Sequence, residues 1–338
     1  MFSFSVTRKR ECAASLLAHL GILKCSEAMR FGAQPLVLLA YHGVRDIDPS
    51  DYPFDEGTVS ASCHQFDLQM GFVKKNYDVI TFEDLMAYRE GKCALPKRPL
   101  IITFDDGFAD NYQNAFPILK AHHLPAIIFL VSGLVGTNEI FWWEKVVYWY
   151  KSSNIFFERW REIVHLTHSE ENWTQKRVLR YLKDLSDGER IRVLTEMENA
   201  IPIPQTPYSS GIRPLQWSEV SEMSQSQIMF GSHTVTHPLL SKVSKEKLRF
   251  ELEESKKTIE EKTGQAVSVL AYPVGGPSDY NDEVISVAKA VGYRFGITYY
   301  PEEKNSRSPN DWFRIGRISI ERDYLFNRFR CRLSFLFP

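Results

Sequence analysis

The chain has 338 residues, 43% hydrophobic and 25% charged, with a formal net charge of −1. That is room for one large domain or two smaller ones, and a charge balance that offers nucleic acid no electrostatic footprint. The cysteines Cys12, Cys25, Cys63, Cys93 and Cys331 are odd in number, widely spaced and without a CxxC, which argues against a disulfide framework and suits a reducing compartment.

Near the N-terminus, Arg8, Lys9 and Arg10 precede a short apolar run, Cys12–Leu20, that Glu11 and His19 interrupt. This reads as an amphipathic helix within residues 1–34 rather than a secretory signal. No stretch approaches the ~18 apolar residues of a membrane span. A location in the cytoplasm or peripheral to the inner membrane is expected, with the N-terminal helix as a membrane contact. Strands are predicted at Leu36–Tyr41, Leu100–Phe104, Ala126–Val131, Ile228–Ser232, Val267–Tyr272, Phe295–Tyr299 and Ile315–Ile320. Several are continuous apolar runs, the pattern of a parallel sheet covered on both faces. Helices are predicted at Phe108–His122, at Ser244–Thr263 with Ser244 as cap and Gly264 as stop, and at Asp282–Val291 before Gly292. The β-α-β-α order implies right-handed crossovers, hence a barrel or a doubly wound sheet. Residues 142–214 break the rhythm and read as a helical insertion beside the site. The expected layout is a barrel over 35–322 that carries this insertion, and a C-terminal helix or tail over 323–338. Seven Trp and a 13% aromatic content suit a large core or a sugar-binding groove equally well, and Phe141-Trp142-Trp143-Glu144 can stack on sugars or dock the insertion.

Two segments carry the chemistry. Thr103-Phe104-Asp105-Asp106-Gly107 and Ser232-His233-Thr234-Val235-Thr236-His237 each end a buried strand, where α/β folds place their sites. Two imidazoles and a carboxylate make a metal site with open positions, and the adjacent carboxylate is then free to act as a base. In isolation, Asp-Asp-Gly is also an ordinary turn that caps a helix.

These motifs resemble the first two motifs of the polysaccharide deacetylases, the NodB-homology group or carbohydrate esterase family 4. The resemblance extends through Tyr41-His42-Gly43-Val44, Leu124-Pro125-Ala126, Trp217-Ser218-Glu219-Val220 and Ala271-Tyr272-Pro273-Val274-Gly275, and spans roughly Leu36 to Ile320. It implies an α/β fold, a distorted (β/α) barrel with fewer than eight strands. It also implies a divalent metal, zinc first and cobalt or nickel next, held by Asp106, His233 and His237. Asp105 becomes the general base. Tyr272, Pro273, Val274 and Gly275 line the groove, with a backbone N–H near Val274 facing the oxyanion. The implied reaction hydrolyses N-acetyl groups from an N-acetylated polysaccharide or oligosaccharide, without nucleic acid as partner.

Two departures stand out. The third-motif Arg that orients the base in many members is replaced by Ala271, and no His follows His237 to supply the usual acid. Some exopolysaccharide members look permuted, with the acid-bearing strand at the front. That makes His42, at the end of an early strand, the expected acid, and Arg317 a candidate for the lost Arg. A non-sugar amide hydrolase, or a glycan-binding protein without turnover, stands as the alternative.

Overall fold

A computed structural model describes residues 2–23, 35–165, 173–203, 212–300 and 311–334. Parts of the expected N-terminal segment (24–34), insertion (166–172 and 204–211) and C-terminal tail (335–338) lie outside the described residues. The strands are β1 Val37–Tyr41, β2 Gly43–Val44, β3 Val59–Ala61, β4 Asp78–Val79, β5 Pro99–Phe104, β6 Ala126–Leu130, β7 Ile228–Ser232, β8 Val269–Ala271, β9 Phe295–Ile297 and β10 Ile318–Ser319. The helices are α1 Phe2–His19, α2 Cys63–Asn76, α3 Phe82–Arg89, α4 Phe116–His122, α5 Trp142–Ser152, α6 Phe156–Ile163, α7 Gln175–Asp184, α8 Asp187–Ala200, α9 Trp217–Ser224, α10 Lys245–Thr263, α11 Asp282–Val291 and α12 Phe326–Leu333.

The main sheet is parallel, in the order β10-β1-β5-β6-β7-β8-β9, with β4 alongside β5. Strands β2 and β3 form a separate pair. Its two ends meet through residues 312–320. On one side the Ile315 N–H donates to the Gly296 carbonyl (3.1 Å) and the Thr298 N–H to the Ile315 carbonyl (3.0 Å). On the other, β10 pairs with β1 in the register Leu39↔Ile318, and the Ile320 N–H donates to the Ala40 carbonyl (2.9 Å). The result is a distorted (β/α) barrel.

Side chains alternate across each strand, and both faces are apolar. Leu39, Tyr41, Leu100, Ile102, Phe104, Ile128 and Leu130 turn outward and pack against the helices. Leu38, Ile101, Ile127, Phe129, Val269, Ala271 and Ile297 form a second, inner cluster. Burial on both faces explains the continuous apolar runs. The inner parity also places the site. Counting by twos, Leu38 leads to His42, Ile101 to Asp105 and Met229 to His233.

The predicted helix Phe108–His122 is helical from Ala109. Phe108 instead bridges to Pro214: the Ala109 N–H donates to the Arg213 carbonyl (2.8 Å) and the Leu215 N–H to the Gly107 carbonyl (2.9 Å). A π-helical turn over Asn111–Ala115 follows, and α4 starts at Phe116, next to Pro117, which has no N–H to give. Helix α10 starts after its Ser244 cap and stops at left-handed Gly264, and α11 stops at left-handed Gly292.

Helices α5 to α8 have a core of their own, in which Trp149, Trp160, Trp173, Val178, Leu182 and Val193 are buried. Helix α1 lays Ala14 against Cys331 of α12. Closure of the barrel leaves no room at Gly296, where an added Cβ would collide with the Tyr272 hydroxyl and lie 2.9 Å from the Phe313 carbonyl oxygen. Gly296→Ala is expected to destabilise the fold by about 1–3 kcal/mol, read as a lower denaturant midpoint at unchanged slope.

Candidate active site

The ladders run one residue past the strands and fix the tips. The Asp105 N–H donates to the Tyr41 carbonyl (2.9 Å), and the His233 N–H to the Leu130 carbonyl (2.8 Å). Beyond them the chain turns sharply. Asp106 (φ 73°), Thr234 (φ 70°), His237 (φ 56°) and Val274 (φ 63°) are all left-handed residues other than glycine. Each such backbone costs about 1–3 kcal/mol and persists only where its surroundings over-determine it. The carboxylate of Glu251, buried on α10, supplies part of that determination. It accepts the Val235 N–H (2.7 Å), the Thr236 N–H (2.9 Å) and the Thr236 hydroxyl (2.6 Å), and so holds the loop between the two histidines.

Asp106, His233 and His237 meet there, each buried, with one donor atom apiece within 4.8 Å of the others. Both imidazole Nε2 atoms face Asp106 Oδ1, at 3.5 and 3.6 Å, too far for good hydrogen bonds. The His233 Nδ1 is engaged with the Ala271 carbonyl oxygen (2.9 Å), which turns Nε2 toward the site. Burial pushes the Asp106 carboxyl well up, and Asp105 and Glu144 push the same way. Burial pulls the His237 imidazole well down and the His233 imidazole down. A carboxylate crowded by negative charge beside two neutral rings is the donor set a divalent cation relieves. The residues therefore fit the metal that the sequence implies.

Asp105 points beside this group. Both of its oxygens accept from Arg317, Oδ1 from Nη1 (2.8 Å) and Oδ2 from Nη2 (2.7 Å). Arg317 also donates to the Thr103 hydroxyl (2.9 Å) and the Thr298 carbonyl (2.8 Å). Burial alone would raise the Asp105 carboxyl, but Arg317, followed by His233, outweighs it and holds the group at about 2. Arg317 thus clamps Asp105 from the closing segment of the barrel, a contact that Ala271 cannot make. It lies two residues from Ile315, which packs on the inner cluster, so alternation alone points it inward.

His42 lines the same cleft. Its backbone is held by the Ser60 hydroxyl and the Asn111 amide, its ring lies 5.2 Å from that of Tyr299, and its Nδ1 is buried without a partner. Burial lowers its pKa to about 4, although Asp105 acts in the opposite direction. Of the expected groove segment, Val274 reaches the cleft. Tyr272 does not: it is buried in the outer core, stacked 4.4 Å from Tyr280, with its hydroxyl donating to the Phe313 carbonyl (2.9 Å). Pro273 and Gly275 are also buried behind Val274, and the Gly275 N–H is spent on the Pro273 carbonyl (2.7 Å).

The cleft measures ≈ 230 Å³. One wall comes from the helical segment. Phe141 packs tilted against Phe108, with ring centroids 4.6 Å apart, so it docks the segment to the barrel, whereas Trp142 faces the cleft and Trp143 lies 4.4 Å from the His237 ring. Neither Trp143 against His237 nor Glu251 on the loop was visible in the residue pattern, because both contacts join elements far apart in sequence.

A polysaccharide deacetylase family model matches residues 92–296, so the chain belongs to the polysaccharide deacetylase family. The Bacillus subtilis protein YxkH, described as a polysaccharide deacetylase, is 23% identical over 269 residues, 79% of this chain and 65% of that protein. The poly-beta-1,6-N-acetyl-D-glucosamine N-deacetylase of Staphylococcus epidermidis is 30% identical over 135 residues, 37% of this chain and 46% of that enzyme. These matches thus span less than two thirds of either relative. In fold, the chain resembles the Streptococcus pyogenes deacetylase PplD, solved in complex with acetate, with a TM-score of 0.56 and 21% identity over 86% of this chain and 93% of that one.

Two outcomes follow from the geometry. Zinc at a hundred times its dissociation constant should raise unfolding free energy by about 2.7 kcal/mol, and His233→Ala should abolish that gain in a thermal or denaturant scan. Arg317→Met leaves a buried carboxylate without its cation and is expected to cost about 3–5 kcal/mol of stability by the same scan.

Proposed function

We propose that this chain is a metal-dependent hydrolase that removes N-acetyl groups from a glycan or glycan precursor and releases acetate and a free amino sugar. The observation that carries this reading is Asp105, locked by Arg317, beside the Asp106, His233 and His237 cluster at the floor of an aromatic-walled cleft. Two imidazoles and one carboxylate favour zinc over cobalt or nickel in a cell, where availability weighs as much as affinity. A divalent ion, when bound, supplies a water of lowered pKa and a positive charge beside the acetamide carbonyl.

The chain's own residues do the rest. Asp105 is kept ionised and cannot rotate, so it accepts the proton of the attacking water from one fixed direction. The clamp trades basicity for alignment. The backbone N–H of Val274, held in a left-handed turn, is the donor offered to the oxygen that gains charge. The proton taken from water must end on the departing nitrogen, because an amide anion does not leave. His42 is the group placed to deliver it: its ring lies in the cleft, with a buried nitrogen that nothing else occupies. No helix among the described residues is long and apolar enough to cross a membrane. Contact with a membrane surface is supported by Leu16, Leu20 and Ile22, which stay exposed at the end of α1.

The test is acetate release from N-acetylglucosamine oligomers by the zinc-loaded protein. Asp105→Asn should bind zinc and release none. His42→Ala should slow release about 10²–10⁴-fold, and a rate near that of the parent would remove His42 from the mechanism.

A further inference from the structure

The wall contributed by helices α5 to α8 holds one cation that the chemistry above does not use. On α7, Val178 and Leu182 fill the core of that segment. Leu179 and Lys183, four residues apart on another face, line the cleft together with Trp142 and Tyr300. The helix is fixed at its start, where the Thr174 hydroxyl caps the Arg177 N–H and the Gln175 amide reaches Asp55 Oδ1 (3.4 Å). Its last turn is held over the cleft by Leu182, fully buried in that core.

The Lys183 ammonium makes no hydrogen bond or ion pair with any of the described residues. Asp279, Asp55 and Asp106 influence it through space, but none pairs with it. Two are engaged elsewhere, Asp279 by the Gly276 N–H (2.8 Å) and Asp55 by the Gly57 N–H (2.9 Å), and Asp106 faces His233 and His237. Burial pulls the ammonium below its ordinary pKa, so its donors lack full hydration as well as a partner. A half-buried ammonium in that condition gains most from an acceptor that enters the cleft.

We propose that Lys183 is a substrate-binding residue that donates to the hydroxyl or ring oxygens of a neutral sugar bound next to the acetamido sugar, so that the helical wall selects oligomers over single sugars. The inference rests on the deacetylase reading for the identity of the cleft. A neutral acceptor is favoured over an anionic one because Asp55 and Glu321 line the same space, and their carboxylates repel an anion.

The experiment compares the full chain with Lys183→Met, Lys183→Arg and, as a control on the exposed side of the same helix, Lys176→Met. Probes are N-acetylglucosamine, its neutral pentamer, and an oligomer in which glucuronate alternates with N-acetylglucosamine. Lys183→Met should raise KM for the pentamer about tenfold at nearly unchanged kcat, Lys183→Arg should recover part of that loss, and Lys176→Met should match the parent. Acetate release from the monosaccharide should not respond to any of them. Parent-like pentamer kinetics in Lys183→Met would overturn the proposal. So would a fall in kcat at constant KM, which would assign Lys183 to bond breaking, or a larger loss on the glucuronate oligomer. If the parent releases acetate from none of these probes, the deacetylase reading fails on its own. Calorimetric binding of the pentamer then decides for Lys183: about tenfold weaker binding in Lys183→Met supports the subsite, and equal or absent binding refutes it.

Discussion

The bidentate contact between Arg317 and Asp105 ties the architecture to the chemistry. Arg317 belongs to the short segment that closes the barrel. Its side chain crosses the inner face to reach Thr103 and Asp105 at the end of β5 and the Thr298 carbonyl just beyond β9. A guanidinium buried to this depth is tolerable only when its nitrogens are engaged, and here four hydrogen bonds engage all three. The contact that fixes Asp105 thus also pins the seam of the barrel. Opening the seam would leave two buried charges without partners, so the last strand is held in place by electrostatics as well as by its few backbone bonds.

Much of this was legible because parallel strands announce themselves. Continuous apolar runs bounded by Gly, Pro and polar residues located the strands of the barrel, and the polar tips after Phe104 and Gly231 located the site. The ends were less legible. Strands read as Val267–Tyr272 and Phe295–Tyr299 are regular only over Val269–Ala271 and Phe295–Ile297. The helix read from Phe108 starts one residue later, because Phe108 pairs with Pro214, a partner no local pattern reveals.

Tyr272 shows the same limit at the level of one side chain. Alignment to a motif gives a residue's position along the chain, not the side to which it turns. Here the ring turns outward to stack on Tyr280, and its neighbour Val274 faces the cleft. Arg317 is the opposite case. The lost Arg left a vacancy that no motif fills, yet alternation from Ile315 aims the side chain inward. An arginine on the inner face of a barrel has to find a carboxylate, and Asp105 is the one within reach.

The aromatic core of helices α5 to α8 is distinct from both clusters of the barrel. The segment is fastened to the barrel by Phe141 against Phe108 and by the buried Glu144, which accepts the Asp55 N–H and the Thr58 hydroxyl. Through Trp143 the segment touches the His237 ring, whereas mutations at Trp142, Leu179 or Lys183 need not propagate into the strand ends that carry Asp105, Asp106 and His233. Substitutions there could therefore redraw the cleft wall while the residues at its floor are inherited unchanged, which separates the evolvability of the wall from that of the floor.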